Sequence, residues 1–253
     1  MKDSRTRDHL EFPPISPFLP YSLLDKFAQY GFDVWTMDFD GYGRSSVTEE
    51  NSNVADGVED LKAAVEVVAR ETGEDRFHFY GESSGGLRAG AFAMARPERV
   101  NRLVLAAFTY TGKGSPTLAE RAKQVDFYRT HNRRPRDRGT SDPAVAEALA
   151  VAELPLGDSV PTGRYLDMTA NLPVVEPAKL HAPVLTCGAN TTASPRRRTC
   201  STFSRSCRFP IDSSPFFPAC HMPWAPGTNR HLLWRVVRGF LEMPARLDAG
   251  KRA

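Results

Sequence analysis

The residues best suited to covalent chemistry in this chain are Gly81-Glu82-Ser83-Ser84-Gly85-Gly86. They follow the β-rich run Arg76–Tyr80 and open a small-residue helix over Gly85–Ala95. A strand that turns at once into a helix forces its apical residue into a strained conformation, so the neighbours must be small. Gly81 and Gly85 are expected to supply that room. Ser83 would then stand exposed at a helix N terminus, where N–H groups and the helix dipole stabilise a developing anion. The chemistry this suits is attack of a serine oxygen on an acyl carbon, with the Ser84 N–H as an oxyanion donor. Ser84 competes weakly as nucleophile, because its register would need glycine at 82, where Glu82 stands. Glu82 is read as structural or pocket-lining, without a catalytic role.

The elements that would position these residues alternate in period. Tyr21–Tyr30 has Leu23, Leu24, Phe27 and Ala28 at helical spacing, closed by Gly31. Phe32–Phe39 alternates and reads as a strand. Val54–Thr72 is an amphipathic helix with Val58, Leu61, Ala64, Val65, Val68 and Ala69 on one face. Val100–Phe108 and Ala182–Cys187 read as strands, and Arg230–Glu242 as a final helix with Leu232, Leu233, Val236, Val237, Phe240 and Leu241 inward. Ser115–Arg129 is expected to be helical, and residues 130–180 to hold short helices broken by prolines. Strands alternating with helices predict an α/β fold, a mostly parallel sheet covered on both faces.

A second motif, Asp38-Phe39-Asp40-Gly41-Tyr42-Gly43-Arg44-Ser45, sets a D-x-x-G-x-G-x-S turn after the first predicted strand, with the Ser83 turn about forty residues on. His221-Met222-Pro223-Trp224 stands shortly before the last helix. Together these resemble the α/β-hydrolase superfamily over roughly residues 21–187 and 221–243. The resemblance implies an α/β-hydrolase fold with Ser83 as nucleophile, and a lid over about 111–180 that shapes the substrate pocket. Phe127, Tyr128, Tyr165 and Met168 are candidates to line that pocket, though helical core packing suits most of them. The resemblance also implies that His221 is the base that takes the serine proton and returns it to the leaving group. The other histidines fit less well. His78 lies inside a strand, His131 in a basic run, His181 before a strand, His231 in the last helix and His9 in an unpatterned start.

The same resemblance exposes gaps. The family places a carboxylate after the strand matching Pro183–Gly188, yet the chain continues Ala189-Asn190-Thr191-Thr192, and from Ala189 to Cys220 the only acid is Asp212. Ser, Arg, Thr, Pro and Cys dominate this stretch, which reads as neither strand nor helix. Residues 189–220 are therefore expected to be translated out of frame. Joining the third base of each codon to the first two of the next lets Asn190–Ala193 encode Tyr-Asp-Gly, with the aspartate codon straddling 191 and 192. The shifted frame also makes Thr199–Ser204 a helix-like apolar pattern and Pro215–Cys220 a strand and turn. Cys187, Cys200, Cys207 and Cys220 lack a C-x₂₋₄-C pair, so no metal site or cofactor is expected. The N-terminal strands are expected to be missing: no strand or His-Gly pair precedes Tyr21 to give a second oxyanion donor. Either residues 1–20, with Pro13, Pro14, Pro17 and Pro20, are spurious at the head of a shortened chain, or they pair in an unfamiliar way. The hydrolase domain is accordingly placed at 21–253.

Composition narrows the remaining classes. Of 253 residues, 41% are hydrophobic and 25% charged, which is ordinary globular usage and argues against disorder, collagen and coiled coil. No apolar run reaches about 18 residues, and Met1-Lys2-Asp3-Ser4-Arg5 leads into no apolar signal core, so a cytoplasmic protein without a membrane partner is expected. A net charge of +3 makes no case for nucleic acid, and the basic run Arg129–Arg138 has no interleaved aromatics. The expectation is a serine hydrolase cleaving a small-molecule ester or amide through an acyl-enzyme on Ser83. The alternative is an impaired or non-catalytic hydrolase fold that binds a small molecule. Neither the substrate nor the oligomeric state is legible.

Overall fold

The computed structural model describes residues 21–111, 120, 123, 126–128, 142–157, 159–190, 203, 216–218, 227 and 229–244. Local sequence accounts for the helix ends. Helix α1, Leu23–Gln29, starts where the Ser22 hydroxyl accepts from the Asp25 N–H, and Gly31 takes the chain out with a positive φ. Helix α2, Val54–Thr72, opens on a reciprocal cap in which Asn53 and Asp56 each accept the other's backbone N–H. It ends at Gly73 in the left-handed conformation and buries Val54, Val58 and Val65.

Strand β1, Phe77–Glu82, helix α3, Ser84–Ala95, and strand β2, Val100–Ala106, form the centre of the molecule. A two-stranded antiparallel ribbon joins β3, Asp126–Tyr128, to β4, Ser159–Pro161. Helices α4, Pro143–Glu153, and α5, Gly163–Ala170, flank β4 in sequence. Strand β5 runs Val184–Asn190, β6 runs Phe216–Pro218, and helix α6, Arg230–Leu241, follows. Among the described residues the main sheet has the order β1-β2-β5-β6, and every pairing is parallel.

Both faces of the sheet are covered. Phe79, Leu103, Leu105 and Val184 face α2, α3 and the segment from Met168 to Ala182. Tyr80, Val104, Ala106, Leu185 and Cys187 face α1 and α6 through Phe27, Leu233, Trp234 and Val237. Residues such as Leu87, Phe92, Leu103 and Leu105 are wholly buried, and each burial stabilises the fold by about 2 kcal/mol. The sheet and its two helical layers are those the alternating periods predict.

Three expectations are corrected. Phe32–Phe39 is not a strand: Phe32 and Val34 pack on the α1–α6 layer as its alternation requires, but the segment has no ladder partner among the described residues. A strand exists only through hydrogen bonds to a neighbour, and β1 is the edge of the described sheet on that side. Within the expected helix 115–129, residues 126–128 are strand, because pairing with β4 outweighs the helical spacing. The stretch 189–220 does contain strand: Gly188↔Phe216, Ala189↔Phe217 and Asn190↔Pro218 pair in register, since a backbone ladder needs little from side-chain pattern and phenylalanine is a good strand former. From the same stretch, Phe203 is fully buried, with its ring 4.8 Å from Phe108 and 5.0 Å from Tyr110. Residues 1–20 and most of 111–141 lie outside the described residues.

His78 is half-buried within β1, and burial, with the nearby Arg102 guanidinium, lowers its pKa below the ordinary 6.5. The unfolded chain therefore binds the proton first as pH falls, so stability rises with pH up to the ordinary histidine range and is lost below it. His78→Phe is expected to flatten the acid side of the stability curve. Urea midpoints measured from pH 7 to pH 5 test this: a slope equal to that of the wild type refutes it.

Candidate active site

Ser83 occupies the junction between β1 and α3 with φ 56° and ψ −119°, a region that non-glycine residues enter only under constraint. The constraint is visible. The Ser83 N–H donates to the Ala106 carbonyl of β2 at 2.9 Å, and the Ser83 carbonyl accepts from the Gly86 N–H at 3.1 Å. The chain thus leaves the sheet, turns through one residue and enters the helix. Such strain costs on the order of 1–3 kcal/mol, and the β2 ladder and the packing of α3 offset it. Ser84 is the first residue of α3, so its N–H has no carbonyl one turn earlier in the helix and points out of the N terminus.

The room for this turn comes from Gly81 and Gly86 rather than from Gly81 and Gly85. A Cβ on Gly81 would lie 2.5 Å from the Gly85 carbonyl oxygen and 2.7 Å from the Gly86 Cα. One on Gly86 would lie 2.8 Å from the Phe108 Cβ. At Gly85 no atom stands within 4 Å of the Cβ position. Glycine at 85 is set on the open side of the turn, so the motif's spacing alone misassigns its role.

The Asp38–Ser45 turn is braced from within. The Asp38 carboxylate accepts the Arg44 N–H at 3.0 Å, its carbonyl accepts the Ser45 hydroxyl at 2.6 Å, and Gly41 and Gly43 both take positive φ. The turn is tied to α3 by Arg88, a residue that sequence reading passed over. Arg88 is 2% exposed, donates to the Ser52 carbonyl at 2.7 Å and its hydroxyl at 2.8 Å, and lies 4.2 Å from the Phe39 ring centroid. Burial lowers its pKa to about 10, while Asp60, Asp56, Asp167 and Asp40 act in the opposite direction and keep it charged at neutral pH. The available signal was an arginine one turn into an otherwise apolar helix, a position where a charge needs partners.

Glu82, the last residue of β1, accepts a hydrogen bond from the Tyr80 hydroxyl at 3.3 Å. Burial, followed by the neighbouring Glu82 and Cys187, pushes the Tyr80 pKa well above its ordinary value, so this hydroxyl stays a neutral donor. Of the residues put forward on sequence, Ser83 and Ser84 stand side by side at the carboxyl end of the sheet. His221 lies outside the described residues, as do Phe127 and Tyr128 in their side chains, and Cys200, Cys207 and Cys220. Met168 is core, and Tyr165 packs against the same core cluster. Cys187 is a buried thiol on β5. Among the described residues no cluster of three or more His, Cys, Asp or Glu could hold a metal, and no helix is long and apolar enough to cross a membrane.

The stretch that carries Ser83 falls within a match to a known protein family. Residues 21–183 match the family described as serine aminopeptidase, S33. This chain belongs to that α/β-hydrolase family. Among curated relatives, the S33-type chain is 41% identical over 87 residues to a 2-hydroxy-6-oxononadienedioate/2-hydroxy-6-oxononatrienedioate hydrolase of Paraburkholderia phymatum, covering 34% of this chain and 28% of the relative. A hydrolase of the same name from Cupriavidus pinatubonensis is 37% identical over 95 residues, 35% of this chain and 28% of that one. The match therefore spans little more than a quarter of these relatives' length. The fold is similar to that of a Paleococcus ferrophilus monoacylglycerol lipase, with TM-score 0.61 at 16% identity over 89% of this chain and 87% of the lipase. It is also similar to the carboxylesterase CesB of Bacillus subtilis, with TM-score 0.60 at 19% identity over 82% and 73% of the two chains. At these identities the likeness establishes the α/β-hydrolase fold of the S33 family member.

Proposed function

We propose that this protein is a serine hydrolase that cleaves an ester or amide through an acyl-enzyme on Ser83. The observation that carries the reading is the Ser83 backbone, strained at the strand-to-helix turn so that its side chain stands at the N terminus of α3. In this mechanism the Ser83 oxygen adds to the substrate carbonyl carbon and its proton passes to His221. The Ser84 N–H, at the positive end of the α3 dipole, binds the oxygen that becomes anionic. The C–O or C–N bond then breaks, and the leaving group takes the proton from His221. Water, giving its proton to the same imidazole, attacks the acyl carbon and releases the acid and free Ser83. Small-molecule esters are the first substrates to assay. The dienedioate named for the curated relatives is the second, since the aligned third of the chain is over a third identical to those enzymes.

A fluorophosphonate probe tests the nucleophile without knowledge of the substrate. Labelling is expected at Ser83, located by peptide mass spectrometry. Labelling of Ser84, or none at all, refutes the assignment.

The orienting carboxylate belongs, on this reading, to the frame that residues 189–220 displace, with its codon across 191 and 192. The family match ends at residue 183, ahead of that stretch, which supports the reading. The buried Phe203 is compatible with it, because both frames encode apolar residues there. Sequencing of the locus is expected to reveal an insertion or deletion near codons 188 and 220, and an uninterrupted frame overturns the idea.

A further inference from the structure

Arg88 stands four residues after Ser84 in α3, so the two share one face of the helix, one turn apart. That face is held to the Asp38–Ser45 turn and to Ser52 ahead of α2. The Arg88 guanidinium lies 4.2 Å from the Phe39 ring centroid and 5.3 Å from that of Tyr42. Its Nη2 donates to both the carbonyl and the hydroxyl of Ser52, which is wholly buried and takes φ 44°. Space is reserved for this side chain on α2: a Cβ on Gly57 would lie 2.5 Å from the Arg88 Cδ and Nε. That Nε is buried without a hydrogen-bond partner, a cost that an apolar residue packed at this position would avoid. Packing of α3 alone therefore does not account for an arginine here.

The segment that Arg88 grips also holds a third helix. The Asn51 carbonyl accepts the Gly163 N–H at 2.9 Å, the Asn51 side chain accepts the Thr162 N–H at 3.2 Å, and the Asp167 carboxylate accepts the Val54 N–H at 2.8 Å. Residues 51–54 are thus a joint that ties α2, α3 and α5 together by directional bonds. Leu87 and Phe92 hold α3 against the sheet, but apolar contact is non-directional and defines rotation and slide of the helix less well. The two bonds from Arg88 to Ser52 restrain both motions. We propose that Arg88 is a positioning residue for the hydrolysis: it locks the Ser84 face of α3 to the Asn51–Val54 joint and so sets the reactivity of Ser83. The inference rests on the serine-hydrolase reading above. Arg88 acts through the helix rather than on the substrate, by keeping the Ser84 N–H and the Ser83 turn in register with each other. Reacting groups must be held within about 0.5 Å of their productive geometry, and a displacement of about 1 Å costs about 100-fold in rate.

The test is the rate at which a fluorophosphonate labels Ser83 in the folded protein, measured beside the urea midpoint. Arg88→Met keeps the length of the side chain and removes the charge and both bonds to Ser52. Its labelling rate is expected to fall about tenfold or more, with kcat on p-nitrophenyl acetate falling in step and KM little changed. Arg88→Lys keeps one charged donor without the planar fork, so it is expected to recover part of the rate. Gly57→Ala, which pushes the Arg88 side chain from its place while leaving the arginine in the chain, is expected to slow labelling as well. If Arg88→Met does not fold, the Arg88→Lys and Gly57→Ala variants carry the comparison. A purely structural role lowers the urea midpoint but leaves the labelling rate of folded protein at the wild-type value, and that result overturns the role of Arg88 alone. A wild type that takes no label at Ser83 overturns the serine-hydrolase reading and this proposal with it.

Discussion

Ser83→Ala is expected to lower turnover of p-nitrophenyl acetate by on the order of 10⁴ or more, to the level of the oxyanion donor and binding alone. The loss falls in kcat, because the hydroxyl makes its bond only as the reaction proceeds. KM should change little. Stability should rise or stay level, since the hydroxyl at 83 makes no side-chain cap bond to α3. Equal turnover by Ser83→Ala and wild type would remove the enzyme reading and leave a hydrolase fold that binds without cleaving. Substitution of Ser84 by Ala separates the two serines. The Ser84 contribution is its backbone N–H, which alanine retains, so that variant is expected to keep most of the activity.

The second large effect is on the turn itself. Gly81→Ala forces a methyl group to within 2.5 Å of the Gly85 carbonyl oxygen, against the backbone of the first turn of α3. Neither neighbour is the flexible end of a side chain, so β1 or the first turn of α3 must shift. The expected cost is about 3 kcal/mol or more, in the upper range for overpacking, together with loss of activity as Ser83 leaves its constrained conformation. Gly85→Ala, with open space at its Cβ, should cost under about 1 kcal/mol. Urea denaturation of the two variants side by side checks the contrast. A Gly81→Ala protein as stable as Gly85→Ala would mean that the turn is not as tightly packed as its geometry requires.

The contrast between these glycines shows what a motif can and cannot convey. The pattern Gly81-Glu82-Ser83-Ser84-Gly85 located the strand-to-helix turn because such a reversal needs small residues near its apex. Which glycine is sterically required depends on what stands beside each one. Phe108, beyond the end of β2, makes Gly86 obligatory, and no local spacing carries that information.

Helices were the most legible elements. The periodic run Val54–Thr72 with Asn53 and Asp56 before it and Gly73 after it contains its own start and stop, and helix hydrogen bonds close within the element. Central strands were legible for a similar reason, as apolar runs such as Leu103–Ala106 are buried on both faces. Phe32–Phe39, the 126–128 ribbon and the 216–218 strand were not, because each depends on whether a partner lies alongside. Arg88 was missed on the same ground. Its charge is tolerated only because Ser52, Phe39 and several carboxylates converge on it from other parts of the chain.

The sequence by itself determined the parallel α/β order, the limits of helices such as α2 and the position of Ser83 between strand and helix, since these follow from local period and from backbone geometry within a few residues. Tertiary structure alone decided which segments pair, which glycines are indispensable, and that Ser52 meets Arg88 on α3. Those relations join residues far apart in the chain, and only packing in three dimensions sets distances between them.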